Sequence, residues 1–366
     1  MFTRIFLVAC IFFLLCSEIS AKAIEDSSGK TVQLPDSVDH VICSGSGCLR
    51  LLTYLQAQDK IVGVDSIETR KRKLDARPYA LANPQFKKMP VFGEFRGYDN
   101  PERILTLAPQ PQVIFKTYSS QMGYDPVELQ QKTGIPVVVL NYGNFTHLRP
   151  ELYKSLRIMG TVLGKENRSE QVISFFEETT TDLDKRTVNV PVDQRPTVYL
   201  GGVAFKGPHG FQSTEPAYPP FKFVHARNLA YDKAMSKKEL SNSNIAKEKI
   251  VAWDPEYLFL DLSTLLLGDK AGGLYELKTD PAYLSLSSVK ENRVFGLLPY
   301  NLYTKNYGSI LANAYYIGKL LYPERFSDVD PDKKADEIYQ FLVGKPVFST
   351  MNGLFNNLVF KKVPLK

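Results

Sequence analysis

The sequence predicts an α/β fold made of two doubly wound lobes joined by one long helix, with a cleft between the lobes. Three observations predict it. Short apolar runs of strand character alternate with helically spaced segments from His40 to Leu140, the pattern that builds a mainly parallel sheet covered by helices. From Leu148 to Arg186 there is no strand signal at all. The alternation then restarts at Thr197, so the second half echoes the first. Length agrees, because 366 residues exceed what one core organises efficiently. The expected divisions are a leader over 1–23, a first lobe over 24–164, the joining helix over 165–190 and a second lobe over 191–366.

The leader reads as a secretory signal peptide. A positive start ending at Arg4, an apolar run from Ile5 to Leu15 and the small-residue site Ala21-Lys22-Ala23 are its three parts. The run is shorter than the ~20 residues a helix needs to span a membrane, and cleavage is expected after Ala23. Lipidation is the alternative. Ala9-Cys10 has suitable small residues but little apolar core before it, and Leu15 is bulky beside Cys16.

Next, Ile24 to Pro35 alternates around Ser28-Gly29-Lys30 as a small hairpin. Strands are expected at His40–Cys43, Ile61–Val64, Val113–Phe115 and Val137–Leu140, with helices at Leu49–Gln56, Pro101–Leu107 and Pro126–Thr133. Lys87 to Asn100, rich in glycine, aromatics and charge, reads as a loop. Leu152, Leu156, Met159 and Leu163 mark one helix. Val172, Phe175, Phe176 and Leu183 mark the next, a rigid strut of about 20 residues, or roughly 30 Å. The second lobe should hold strands at Thr197–Leu200, Tyr257–Leu260 and Arg293–Gly296. It should also hold a long loop over Gly201–Phe223, a helix over Asn244–Ala252 and a closing helix over Tyr307–Leu321.

Charge excludes little. The net charge of +6 falls to +5 when the leader takes Arg4, Lys22 and Glu18 with it, and the excess is spread along the chain. Nucleic-acid binding would concentrate it on one face, so no nucleic-acid partner is expected. Arg70-Lys71-Arg72-Lys73 is the densest basic run and reads as a solvated helix face. Beyond the leader only Cys43 and Cys48 remain. In an oxidising compartment they can close a small disulfide, with two free thiols as the alternative.

Several ordered phrases resemble the periplasmic iron-siderophore and cobalamin solute-binding proteins of ABC importers. They are Glu25 to Val32 with Leu34-Pro35, Val41 to Gly47, Asn100 to Leu105, Pro111 to Phe115, Glu248 to Glu256, and Asp280 to Phe295. The resemblance covers nearly all of the chain after the leader. It implies a monomeric periplasmic protein that captures a metal chelate, whether ferric siderophore, haem or corrinoid, without a cofactor of its own. It also implies an inner-membrane permease with its ATPase as partner. In this family an exposed glutamate on each lobe docks onto permease arginines, and the matching positions are Glu102 and Glu248.

Ligands of open α/β sheets sit beyond the carboxyl ends of strands. The loops expected there are Ser44–Cys48, Val91–Asn100, Thr117–Tyr124, Tyr142–His147, Gly201–Phe221 and Pro299–Tyr307, and they carry many aromatics suited to a flat or aromatic cargo. The candidate ligand-binding residues are Ser44, Ser46, Phe95, Arg96, Tyr98, Tyr118, Tyr142, Phe205, Lys206, His209, Phe211, Tyr300 and Tyr303, with Lys116 a further charged candidate. Arg96, between Gly93 and Gly97, could meet ligand oxygens in two-point fashion. His209 is a candidate axial ligand to a chelated metal, or a hydrogen-bond donor within its loop. Binding of an oxyanion or simple metal ion is the alternative on the same fold, although the four histidines are scattered. A chelatase- or nitrogenase-like enzyme is the rival class. No nucleophile elbow, phosphate loop or paired-histidine zinc motif supports it, so no catalytic residue is expected.

Overall fold

The computed structural model describes residues 22–119, 122–231 and 242–365. Most of the expected leader, with Cys10 and Cys16, lies outside the described residues, as do Ser120 and Gln121 of one cleft loop. β1 (Lys22–Glu25) and β2 (Thr31–Leu34) form an antiparallel hairpin. Its turn is closed by the Asp26 carboxylate, which accepts from the backbone of Ser28 and Lys30 at 2.8 and 3.1 Å. β1 opens at Lys22, whose ammonium donates to the Thr161 carbonyl at 2.8 Å. Cleavage after Ala23 would therefore remove half of this strand.

The first lobe's sheet comprises β3 (Val41–Ser44), β4 (Ile61–Asp65), β5 (Val91–Glu94), β6 (Tyr98–Asp99), β7 (Val113–Thr117) and β8 (Val137–Leu140). Their order is β6-β5-β4-β3-β7-β8, and every pair is parallel except β5 with β6. The β5–β6 hairpin occupies the stretch expected to be a loop. Gly93 makes it possible, since a Cβ there would lie 2.8 Å from the Asp99 Cα.

The second lobe contains β9 (Thr197–Gly201), β10 (Ser213–Thr214), β11 (Arg227–Asn228), β12 (Ser243–Asn244), β13 (Tyr257–Asp261) and β14 (Val294–Leu297). Its main sheet runs β11-β9-β13-β14, all parallel, while β10 and β12 form a small separate ladder. Strand order reverses at β3 in one sheet and at β9 in the other. A crevice opens at such a switch point, beyond the carboxyl ends of the strands.

Between the lobes runs the helix Glu166–Thr187, 22 residues and about 33 Å long. Gly164, in the left-handed region at φ 66°, ends the preceding helix Arg149–Leu163 and lets the chain turn into it. Its buried stripe includes Val172, Ile173, Phe176 and Leu183. The Phe176 ring touches Tyr54 and Phe145 of the first lobe and Tyr307 of the second, at 6.1, 5.0 and 5.9 Å between centroids. The helix Pro331–Val343 then returns to the first lobe, where Gln56 donates to the Leu342 carbonyl at 3.3 Å. Just beyond it, Lys345 donates to the Ala82 carbonyl at 2.7 Å.

Cys43 is a buried residue of β3, and Cys48 opens the helix Cys48–Tyr54. Both are buried free thiols, so the expected disulfide is not formed. Gly45 and Gly47, at φ 88° and 86°, fold the intervening turn tightly enough to bring the two thiols together. Burial, followed by a hydrogen bond with Cys48, pushes the Cys43 thiol well above its ordinary pKa. A sealed, protonated thiol is a poor nucleophile for oxidation.

Candidate functional site

A cavity of about 500 Å³ lies where the carboxyl ends of the two sheets face each other. The first lobe lines it with Ser46, Ile67, Arg72, Leu74, Phe95 and Arg96. The second lobe contributes Phe205, Lys206, Glu215, Leu266, Tyr303 and Lys305 among others. Of the thirteen ligand-binding candidates read from the sequence, Ser46, Phe95, Arg96, Phe205, Lys206 and Tyr303 meet here.

The others are placed elsewhere, for identifiable reasons. Ser44 is fully buried, and its hydroxyl accepts from Lys116 at 3.1 Å. Lys116 is itself buried against Asp99 and donates to the Gly97 carbonyl at 3.0 Å. Burial raises the Asp99 carboxyl and the Lys116 charge opposes that rise. This pair therefore pins the turn that presents Arg96 and does not reach the ligand space.

Tyr98 is exposed on β6 away from the cavity, and Tyr118 reaches toward Asp125 at 3.5 Å. Tyr142 stacks on Tyr307 at 5.2 Å and donates its hydroxyl to the Lys305 carbonyl at 2.6 Å. Phe211 is core, packed edge-on to Tyr199 at 5.4 Å. Tyr300 is buried, stacked on Tyr218 at 5.6 Å, with its hydroxyl donated to Glu215. His209 lines a separate depression, and its Nε2 lies 2.7 Å from the Phe205 carbonyl. Of the two roles the sequence allowed this ring, axial metal ligand or hydrogen-bonding group within its loop, the contact with Phe205 is the second. Among the described residues, no group of three or more His, Cys, Asp or Glu could hold a metal ion.

Several functional side chains escaped the sequence reading. The basic run expected to be a solvated helix face is split by the fold. Arg70 pairs with Glu94 at 3.1 Å and stacks over Phe95 at 4.3 Å, Lys71 and Lys73 are exposed, and Arg72 enters the cavity. Arg72, Leu74 and Ala76 all line it, a two-residue period that was the available signal. Arg50 is fully buried on the helix Cys48–Tyr54. It donates to the carbonyls of Leu302, Tyr303 and Lys305 at 3.1, 3.0 and 2.9 Å, and to the Tyr142 hydroxyl at 2.6 Å. The three carbonyls lie 252 to 255 residues along the chain and Tyr142 lies 92 along it, beyond any local pattern.

Tyr303 ties the lobes together a second time. Its hydroxyl donates to Asp65 at the end of β4 and accepts from the Arg96 backbone N–H at 3.0 Å. Tyr303 and Thr304 both have positive φ, 53° and 62°, a conformation such residues hold only when neighbours fix it. Burial, with the Glu68 charge adding to it, pushes the Asp65 carboxyl up to about 7. Beneath it Arg77 bridges Glu68 at 2.9 Å and Asp75 at 2.8 Å, all three buried. Electrostatically the cavity carries four cations, Arg72 and Arg96 from one lobe and Lys206 and Lys305 from the other. Against them stands Glu215, which already accepts from Tyr300.

On the outside, Glu102 and Glu248 are both exposed. Each sits in the first turn of a short helix, Pro101–Leu105 in the first lobe and Lys247–Trp253 in the second. Asn100 starts the former helix by accepting from the Arg103 N–H at 2.8 Å.

Two lobes, a joining helix and a charged cleft between facing sheet ends define a solute-binding protein. Residues 41–300 match the periplasmic binding protein family, and the chain belongs to it: it is a solute-binding protein of an ABC transporter. The molybdate-binding protein MolA of Haemophilus influenzae is 24% identical over 360 residues, covering 91% of this chain and 94% of its own. The solved structure of MolA bound to molybdate superposes with a TM-score of 0.65 at 19% identity, over 89% of this chain and 98% of that one. The periplasmic haem-binding protein HutB of Vibrio cholerae gives 0.54 at 17% identity, over 78% and 99%. These relatives are binding proteins.

Proposed function

We propose that the cleft takes up an anionic metal chelate, of the ferric siderophore, haem or corrinoid class, in the periplasm. The protein then carries it as a monomer to an inner-membrane permease and its ATPase. One observation carries this reading: four cations, two from each lobe, converge on a cavity with a single engaged carboxylate. An anion bridging them attracts both walls, so cargo and lobe closure are coupled. At about 500 Å³ the cavity has the size of a small-molecule site. Phe95, Phe205 and Leu266 give it apolar walls that suit an organic shell around the metal.

A bare oxyanion is the second reading, favoured by the same cations and by the likeness to MolA. Titration calorimetry with a ferric tricatecholate, haemin, cobalamin and sodium molybdate separates the two. Tighter binding of one chelate than of molybdate is expected. Molybdate binding alone would transfer the function to the oxyanion class.

Glu102 and Glu248 are the proposed docking carboxylates, one per lobe, through which a permease could sense lobe spacing. Reversing both (Glu102→Lys with Glu248→Lys) should abolish uptake in cells while ligand affinity stays at the wild-type value. Uptake that survives the double reversal rejects the docking assignment.

A further inference from the structure

Arg72 differs from the other cations of the cleft. Its Nε is buried and has no hydrogen-bond partner among the described residues. Arg96 stacks on Phe95 at 5.1 Å, and Lys206 lies over Phe205 at 5.5 Å. The nearby carboxylates are already committed. Arg77 takes Asp75 through two nitrogens, at 2.9 and 2.8 Å, and Glu68 through a third contact at 2.9 Å. The cavity's own Glu215 is held by Tyr300. Half-buried, Arg72 is stripped of part of its water and stands near the like charge of Arg77. Burial first, and Arg77 second, hold its pKa below the ordinary value.

A cation in that position costs stability unless something neutralises it. Among the described residues its Nε meets no acceptor, and the Asp75 charge, already shared with Arg77, offsets its burial only in part. Leu74 and Ala76 line the cavity beside it, so the local surroundings strengthen any charge pairing that forms there.

We infer that Arg72 is the anion anchor of the cleft, its guanidinium kept for a carboxylate, catecholate or oxo group of the cargo in a two-point contact. This rests on the reading that the cargo is anionic, and it names the group that selects for it. A planar fork fits paired oxygens in a way a lysine ammonium cannot.

Thermal unfolding and anion titration of Arg72→Gln and Arg72→Lys test the assignment. Without ligand, Arg72→Gln should melt at the wild-type temperature or about 1–2 °C above it, because an unpartnered charge has been removed. A lower melting temperature would show that the guanidinium holds the fold together and would overturn the proposal. With ferric tricatecholate or sodium molybdate, Arg72→Gln should bind roughly 10- to 100-fold more weakly, the effect of losing charge-assisted bonds. Arg72→Lys should recover only part of that loss, and full recovery overturns the two-point contact. Wild type and Arg72→Gln binding equally, or a wild type that neither probe stabilises, overturns the anchor itself. A wild type that answers molybdate but not the chelate removes the chelate reading and leaves Arg72 in place.

Discussion

The two walls of the cleft hold their polar groups by opposite means. Behind the first wall, buried charges are paired with buried charges: Arg77 with Glu68 and Asp75, and Lys116 with Asp99. Behind the second wall, rings do the packing. Tyr218 lies against Phe221 at 4.9 Å and Phe221 against Phe259 at 5.3 Å. The buried carboxylates there rely on neutral donors, Glu215 on Tyr300 and Asp261 on the Ser263 backbone at 2.9 Å. Ion pairs fix direction but tolerate no missing partner, whereas packed rings lose energy in proportion to the volume removed.

The largest expected effect tests the ionic wall. Arg77→Met strands Glu68 and Asp75 without a counter-ion and should cost about 3–5 kcal/mol in urea unfolding; a cost near zero would erase the contrast between the walls. Next comes the aromatic wall, where Phe221→Ala should cost about 3 kcal/mol and leave an apolar void. Between the walls, Arg50→Met removes donors from three carbonyls and should cost about 2 kcal/mol. Faster hydrogen exchange confined to residues 299–306 would be its signature.

A smaller effect is the dependence on pH. Burial raises the Asp65 carboxyl to about 7 and the Asp261 carboxyl to about 6, whereas both titrate near 3.8 in an ordinary setting. The folded protein therefore holds these protons where the unfolded chain has lost them. Their contribution is complete below pH 3.8 and is lost as pH rises toward 7. Asp65→Asn and Asp261→Asn should each flatten that slope, most clearly between pH 4 and 7 on the first wall and pH 4 and 6 on the second. Smallest is the thiol response. Cys43 and Cys48 should resist alkylation in the folded protein and react only on unfolding.

Much of the scaffold was legible because its signals are local. Val137–Leu140 and Tyr307–Leu321 fall where apolar runs and helical spacing put them, and the other expected sheet strands agree within a residue or two at each end, while β11 (Arg227–Asn228), two residues long, was not expected. The β5–β6 hairpin was not legible. Its strands are four and two residues long, too short for alternation to register, and they depend on a glycine's close approach. The site was harder. Phe95, Arg96, Phe205 and Lys206 sit in loops at strand ends, so the switch-point rule reached them. The same rule drew in Phe211 and Tyr300, which turn inward because rings near a sheet end also serve the core. Arg50 and Arg72 were missed because their meaning depends on partners far along the chain, or on the lack of any.

The Arg50 contacts also shift where the molecule can bend. The segment 302–305 belongs by sequence to the second lobe, yet its carbonyls are bonded to a guanidinium of the first, and Tyr303 is anchored there too. Any hinge rotation must therefore leave this stretch behind or break it free. With those bonds intact, a hinge would have to run through the flanks of the 299–306 loop and not through the joining helix alone. One strip of the cavity wall, carrying Tyr303 and Lys305, would then stay with the first lobe, leaving Lys206 as the cation that swings with the Phe205 side.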